Sequence, residues 1–183
     1  MIPDTITFRG ELLPVFLVCF FVFFMLAACA AASQYSLVRE HRGVPPGIGE
    51  KMETGEGMFA AATRVAQVGL SDVVTTEGGL AAGDVLIVNL FDDRTYRAVI
   101  DRTGKDAKGT LTLRGRLENY PTGYILITSG AGRSLVHVRI PEENREYTIF
   151  FDPATRSHYL LEIDPSKKEI LEEGPALIPP KDD

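Results

Sequence analysis

Apolar and polar residues alternate along much of the second half of the chain, a pattern that indicates β-strands. One segment places Tyr96, Ala98 and Ile100 on one face, with Arg97 and Asp101 on the other. The following segment, GTLTLRGRLE, alternates leucines with threonine and arginine in the same way. Successive side chains of a strand point to opposite faces, so both segments predict strands with one buried face.

Turn-forming residues separate these segments at intervals of about a dozen residues. The apolar run DVLIVNLF at 84–91 has the length of a strand, and both of its faces are expected to be covered. Residues 63–70 also predict a strand, and later segments end at GAG, PEEN, DPAT and DPSKK. The spacing predicts an all-β fold, an antiparallel sandwich or partly open barrel of about seven to eight strands.

A different pattern occupies the N-terminal part, where residues 12–33 carry no charge. As a helix rising ~1.5 Å per residue, this stretch spans ~33 Å and matches a bilayer core of about 30 Å. We therefore expect a transmembrane helix or uncleaved signal anchor at 12–35. Five phenylalanines surround this helix and would meet lipid or partner helices: Phe16, Phe20, Phe21, Phe23 and Phe24.

The end of the same stretch allows a second interpretation. Residues 26–29, LAAC, resemble the lipobox of bacterial lipoproteins, which implies cleavage before Cys29 and lipidation of its sulfur. However, Asp4 and Glu11 offset Arg9 in the first eleven residues, whereas secretory signals begin clearly basic. The uncleaved anchor is preferred, and lipidation of Cys29 stays open.

The remaining chain divides by composition. Residues 1–11 precede the anchor, 36–57 form a linker rich in Gly and Pro, 58–166 form the β domain, and 167–183 form an extended acidic tail. The net charge is −6, and all of this imbalance falls after residue 42. A net acidic domain without a basic run excludes nucleic-acid binding as the expected function. Both cysteines lie in the apolar stretch, so the β domain contains no disulfide.

Residues 63–166 resemble the β-rich N-terminal prodomain of bacterial secreted metzincin-type zinc metallopeptidases. The similar features are NLFDD at 89–93, Tyr96, the pair Gly115 and Arg116, Tyr147, and the closing LLEIDPS. The resemblance implies a prodomain-like module.

The histidines do not fit the enzymes of that family, which carry two zinc ligands and a glutamate base in an H-E-x-x-H helix. The chain has only His41, His137 and His158, and no two of them are four residues apart. His137 is expected beside Leu135 and Arg139 on one strand face, and His158 opposite Tyr159 and Leu161, as structural or solvent-facing side chains. Asp92 and Asp93 have the composition of a turn. The sequence assigns no catalytic residue, cofactor or metal ligand.

The orientation of the domain depends on conflicting signals. Arg39, Arg42 and Lys51 follow the apolar stretch and only Arg9 precedes it, which by the positive-inside rule favours a cytoplasmic domain. The lipobox-like end and the prodomain resemblance favour an extracytoplasmic domain. We expect a single-pass protein of the bacterial inner membrane with a periplasmic β domain, and a cytoplasmic orientation stays open.

An arginine-rich surface is the main candidate binding site. Arg97, Arg114 and Arg116 would project from one exposed face of the predicted hairpin, with Arg94 and Arg102 near its ends. Such a face is either solvated or a docking surface, because arginine is enriched at interfaces and pairs with carboxylates bidentately.

These features together predict a non-enzymatic accessory subunit. Its partners would be the lipid bilayer, integral membrane subunits and extrinsic domains of a larger complex, and a respiratory or photosynthetic assembly would suit this description. Two alternatives stay open: an inhibitor or chaperone of a secreted zinc metallopeptidase derived from a prodomain, and a free-standing lipoprotein.

Overall fold

The computed structural model describes residues 33–55 and 57–167. They form ten strands, one α-helix and short 3-10 turns, so the all-β prediction is confirmed. The elements in chain order are β1 (Gln34–Ser36), β2 (Val38–Arg42), α1 (Pro46–Thr54), β3 (Ala62–Leu70), β4 (Val85–Phe91), β5 (Arg94–Lys105), β6 (Leu111–Leu117), β7 (Tyr124–Gly130), β8 (Arg133–Ile140), β9 (Arg145–Asp152) and β10 (Ser157–Ile163).

One sheet contains all ten strands, in the order β1-β4-β5-β6-β7-β8-β9-β10-β3-β2. Neighbours from β4 to β10 are antiparallel, as short connections between consecutive strands require. The two strands at the ends of this order, β1 and β2, follow one another in the chain. Segment 34–42 therefore pairs with β4 in parallel and with β3 in antiparallel orientation, which nearly closes the sheet into a barrel.

Side chains inside this barrel form the larger apolar core. In β6, Leu111, Leu113 and Leu117 are buried while Thr112 and the two arginines are exposed, so the predicted alternation is confirmed. Neighbouring strands continue the same inner layer with aliphatic side chains, including Ile125, Ile127, Val136, Val138 and Ile149. These β-branched residues suit a pleated surface buried on one side.

A second apolar cluster lies on the outer side of β10, beneath α1. Ile48 of α1 is 3% exposed and belongs to one cluster with Tyr159, Leu161 and Ile163. Phe59 closes this cluster and meets the Phe150 ring edge-on at 5.9 Å. Strand β10 is therefore covered on both faces, by the barrel interior and by α1.

Several predicted boundaries differ from the structure. The expected linker at 36–57 contains β2 and α1, and the sheet begins at Gln34 rather than near residue 58. Gln34 and Tyr35, placed at the end of the predicted anchor, belong to β1. The strand number is ten rather than seven or eight, partly because 34–42 supplies two strands.

The predicted membrane span lies almost entirely outside the described residues. Within 33–55 and 57–167, no helix is both long and apolar enough to cross a bilayer. Residues 1–32 include the five phenylalanines and Cys29, and the tail at 168–183 also lies outside this part of the chain. Both assignments stay predictions.

Candidate functional site

At the seam of the barrel, the side chain of Asn89 adds hydrogen bonds to the backbone pairing of segment 34–42 with β4 and β3. Asn89 Oδ1 accepts hydrogen bonds from the Val38 amide at 2.9 Å and the Ser36 hydroxyl at 2.8 Å, and Asn89 Nδ2 donates to the Val38 carbonyl at 2.7 Å. The side chain thus pairs with β2 as a backbone peptide would. Beside it, His41 Nε2 lies 2.5 Å from the Leu90 carbonyl oxygen. This role explains the asparagine of NLFDD structurally.

One end of the barrel, here called the tyrosine end, carries Tyr96, Tyr120 and Tyr147 around a carboxylate. Tyr96 donates a hydrogen bond to Glu143 Oε2 at 3.1 Å, and Tyr120 donates to Glu143 Oε1. The Tyr96 and Tyr147 hydroxyls lie 3.5 Å apart. Burial, followed by the contacts with Tyr147 and Glu143, raises the pKa of the Tyr96 phenol.

A chain of ion pairs continues from the tyrosine end. Glu162 is only 6% exposed and pairs with Arg145 and with Arg64, whose Nη1 lies 3.5 Å from Glu162 Oε2. Arg64 also donates to Asp93 at 2.9 Å and stacks 4.0 Å from the centre of the Phe91 ring. The hydrogen bond from Arg64 is the main cause that lowers the pKa of Asp93. Each charge has an opposite neighbour, so this network fits a structural closure of the barrel.

The opposite end, here called the serine end, holds a small cavity of about 260 Å³. Ser129 and Ser134 line it, are both buried, and bond to each other at 2.9 Å, while Ser129 also donates to the Val74 carbonyl. His158 also lines the cavity, and its Nε2 is buried without a hydrogen-bond partner in the described structure. Burial lowers the pKa of His158, which keeps its imidazole neutral near pH 7.

The predicted arginine surface is present on the outside of β5 and β6, with one change. Arg97, Arg102, Arg114 and Arg116 are all exposed and form what we call the arginine face. A bulge between Ile100 and Arg102 shifts the register, so that Arg102 lies directly opposite Arg114. Arg94 instead lies at the tyrosine end with its Nε 3.9 Å from Asp93.

The four members of the arginine face differ in their partners. Arg97 binds Glu118 at 2.7 Å, and Arg116 lies 3.6 Å from Asp101. Among the described residues, neither Arg102 nor Arg114 has a carboxylate within salt-bridge distance. Within this part of the chain, two guanidinium groups without a carboxylate partner therefore stand side by side, on a protein whose net charge is −6.

Apolar side chains adjoin the arginine face on β7 and β8. Leu126, paired directly with Arg114 across the strands, is 38% exposed, and Leu135 is 51% exposed. A shallow groove of about 330 Å³ runs beside Leu135 towards Phe150, Phe151 and Arg133. The sequence pattern placed His137 on this face correctly, but it did not mark the leucines as exposed.

The histidines and aspartates considered in the sequence analysis occupy packing and turn positions. His137 packs against the Tyr124 ring at 5.8 Å and has its Nδ1 3.7 Å from Glu146. His158 faces away from Tyr159 and Leu161 as predicted, since those two lie under α1. Asp92 and Asp93 form the expected turn between β4 and β5. Within the described part of the chain, no three His, Cys, Asp or Glu side chains are grouped so that they could hold a metal ion.

Comparison of the chain with protein-family models, curated proteins and solved structures found no match. The resemblance to a metallopeptidase prodomain therefore stays a prediction from the motif residues. The outer surface of β5–β8 is the candidate functional site.

Proposed function

We propose that this chain is a non-enzymatic accessory protein, anchored in a membrane, whose barrel docks onto other subunits of a larger complex. The observation that carries the proposal is the row Arg102–Arg114–Leu126, in which two arginines without a carboxylate partner in the described part of the chain adjoin an exposed leucine. Arginine is enriched at protein interfaces and among the residues that contribute most of the binding energy.

The rigidity of the surface supports docking. The row lies on strands of one continuous sheet, whose inner side is packed by Leu113 and Ile127, both 1% exposed. The backbone of such a sheet is already ordered before binding, which lowers the entropic cost of association. The barrel then acts as a scaffold that holds the arginine face in one arrangement.

The proposed anchor is the uncharged stretch at 12–33. Sheet pairing begins at Gln34, the residue that follows this stretch in the sequence. The bacterial inner membrane and a periplasmic barrel remain the proposed location. A docking face on a membrane-anchored domain would meet the extrinsic parts of neighbouring membrane subunits.

The test is isolation of the chain from native membranes in mild detergent, with intact-mass and co-purification measurements on one sample. We expect a mass that includes residues 1–28 and stoichiometric membrane subunits. A chain that begins at a diacylated Cys29 and migrates alone would contradict the proposal and favour the free-standing lipoprotein.

A prodomain-derived inhibitor or chaperone is the second candidate function. It rests on the motif residues Asn89, Asp93, Tyr96 and Tyr147, which lie at the seam and the tyrosine end of the barrel. This candidate predicts that the purified chain inhibits or refolds a secreted zinc metallopeptidase. The accessory role predicts no effect in the same assay.

A further inference from the structure

We propose that the arginine face and its neighbouring leucines bind an extended, acidic segment of a partner protein that carries apolar side chains near its carboxylates. This inference rests on the docking role proposed above and specifies the chemistry of the partner. It is carried by the charge and the spacing of four side chains: Arg102, Arg114, Leu126 and Leu135.

Charge complementarity selects an acidic partner. Arg97 and Arg116 already have carboxylate partners, whereas Arg102 and Arg114 face each other across neighbouring strands with no carboxylate partner within residues 33–55 and 57–167. Like charges directly opposite on two strands repel each other. A carboxylate bound between them would remove this repulsion and accept charge-assisted hydrogen bonds from both guanidinium groups.

The exposed leucines indicate that the bound segment carries apolar side chains as well as acidic ones. Leu126 lies one strand from Arg114, and Leu135 lies two strands away and two residues along. With strands about 4.8 Å apart and residues about 3.3 Å apart, Arg114 and Leu135 are separated by roughly 12 Å. An extended chain covers this distance in about four residues, so a carboxylate and an apolar side chain four residues apart would reach both.

The groove beside Leu135 provides the place for the apolar side chain. It is lined by Phe150, Phe151 and Thr128, and by Arg133, whose guanidinium lies 5.9 Å from the centre of the Phe151 ring. An aliphatic side chain seated there would cover Leu135 and the phenylalanine edges together. A second carboxylate beyond it would reach Arg133.

The experiment measures binding of a defined peptide to the full chain in mild detergent. The probe is a capped twelve-residue peptide in which glutamate and leucine stand four residues apart. Its comparison peptide has glutamine in place of every glutamate. Binding is followed by NMR of leucine methyl groups and arginine side chains at low and at high salt.

We expect the glutamate peptide to shift the NMR signals of Leu126, Leu135, Arg102 and Arg114. Its affinity should fall as the salt concentration rises, because salt screens the charge interaction. The glutamine peptide should bind about tenfold more weakly, because it cannot neutralise the arginines. The double variant Arg102→Glu/Arg114→Glu should lose about tenfold in affinity by the same argument. Leu135→Ser should weaken binding without changing the salt dependence.

The matched control reverses two charges elsewhere, in the double variant Arg39→Glu/Lys51→Glu. Both residues are exposed, on β2 and α1, and the change in net charge is the same. Equal binding to the control and to the face variant, or equal binding of the two peptides, would overturn the proposal.

Two other occupants of the face are distinguishable outcomes. In the absence of peptide, the leucine methyl signals of the full chain can be compared with those of a chain truncated after Lys167. A difference at Leu126 and Leu135 would assign the face to residues 168–183. Shifts that depend on protein concentration would assign it to a second copy. Either result would overturn the proposed partner.

Failure of this inference is separable from failure of the proposed function. Membrane subunits that co-purify equally with native chain and face variant would leave the accessory role intact and reject the arginine face. A chain that binds the peptide but carries no anchor would reject the membrane role and keep the binding site.

Discussion

At the scale of single residues, Asn89 is the clearest structural determinant outside the core. The amide group makes three hydrogen bonds that hold β2 at the seam of the barrel. Asn89→Ala should lower the free energy of unfolding by about 1–3 kcal/mol, because the Val38 amide loses its acceptor and the Val38 carbonyl keeps only the Ser36 hydroxyl. Urea unfolding measures this. Ser36→Ala removes the hydroxyl contacts with Asn89 and with the Val38 carbonyl but leaves both Asn89–Val38 bonds, so it is the control and should cost less. An equal or larger cost would contradict the assignment.

Tyr96 should make the protein sensitive to alkaline pH. Its folded-state pKa is raised above the usual phenol value of about 10 by burial. Below pH 10 both folded and unfolded chains keep this proton, and the contribution to stability is complete. Above it the unfolded chain releases the proton first, so the free energy of unfolding should fall by up to about 1.4 kcal/mol per pH unit.

Urea unfolding between about pH 8 and about pH 11 checks this expectation. In Tyr96→Phe, the free energy of unfolding should decrease less steeply as the pH rises. Tyr124, on the outer face beside His137, is the control, and Tyr124→Phe should keep the native pH dependence. Parallel slopes in the two variants would show that Tyr96 is not the cause.

Arg114 should behave as a residue that is kept for binding rather than for stability. Replacement by glutamine relieves its repulsion with Arg102, so Arg114→Gln should leave stability unchanged or raise it by about 0.5 kcal/mol. Arg116→Gln removes the contact with Asp101 instead and should not stabilise the fold. Thermal unfolding of both variants measures the difference. A clear loss of stability in Arg114→Gln would indicate a structural role.

At the scale of elements, α1 depends on packing more than on its own helical tendency. It contains Gly47 and Gly49, which weaken helices, and attaches mainly through Ile48 and Met52. Ile48→Ala should therefore reduce amide protection of α1 in hydrogen exchange, while β5–β8 keep theirs. Glu50→Ala, on the exposed side of the same helix, should change neither the amide protection of α1 nor that of β5–β8. Uniform loss of protection across the barrel would contradict this independence.

The strands that the sequence predicted best are those with one buried face. Alternation along β5 and β6 placed Tyr96, Leu113 and Arg114 correctly, because the barrel interior imposes a period of two. Segment 34–42 was missed because it is short, polar and paired with two different strands. Its partners, β4, β3 and the side chain of Asn89, are all distant in the sequence, which leaves no local pattern.

The arginine face shows the same limit of local patterns. Hairpin periodicity brought Arg97, Arg114 and Arg116 together, but it could not predict the bulge that places Arg102 opposite Arg114. Alternation also placed Leu135 on one strand face with His137 and Arg139, without indicating that Leu135 is 51% exposed. Exposure depends on neighbouring strands, which single-strand periodicity does not describe.

At the scale of the whole molecule, charge is distributed unevenly in a way that suits a docking protein. The chain carries a net charge of −6, while two adjacent arginines on the barrel have no acidic partner among the described residues. An acidic molecule with a local basic site approaches an acidic partner in a restricted set of orientations. The barrel would thus bind its partner and also fix the orientation in which the two proteins meet.

The most direct test of this account is co-isolation from native membranes of three chains: the native protein, Arg102→Glu/Arg114→Glu, and Arg39→Glu/Lys51→Glu. The account predicts that all three remain in the membrane fraction with the anchor present. It also predicts that only the Arg102→Glu/Arg114→Glu chain loses its stoichiometric partner subunits. A native chain isolated alone, or partner subunits retained equally by all three chains, would contradict it.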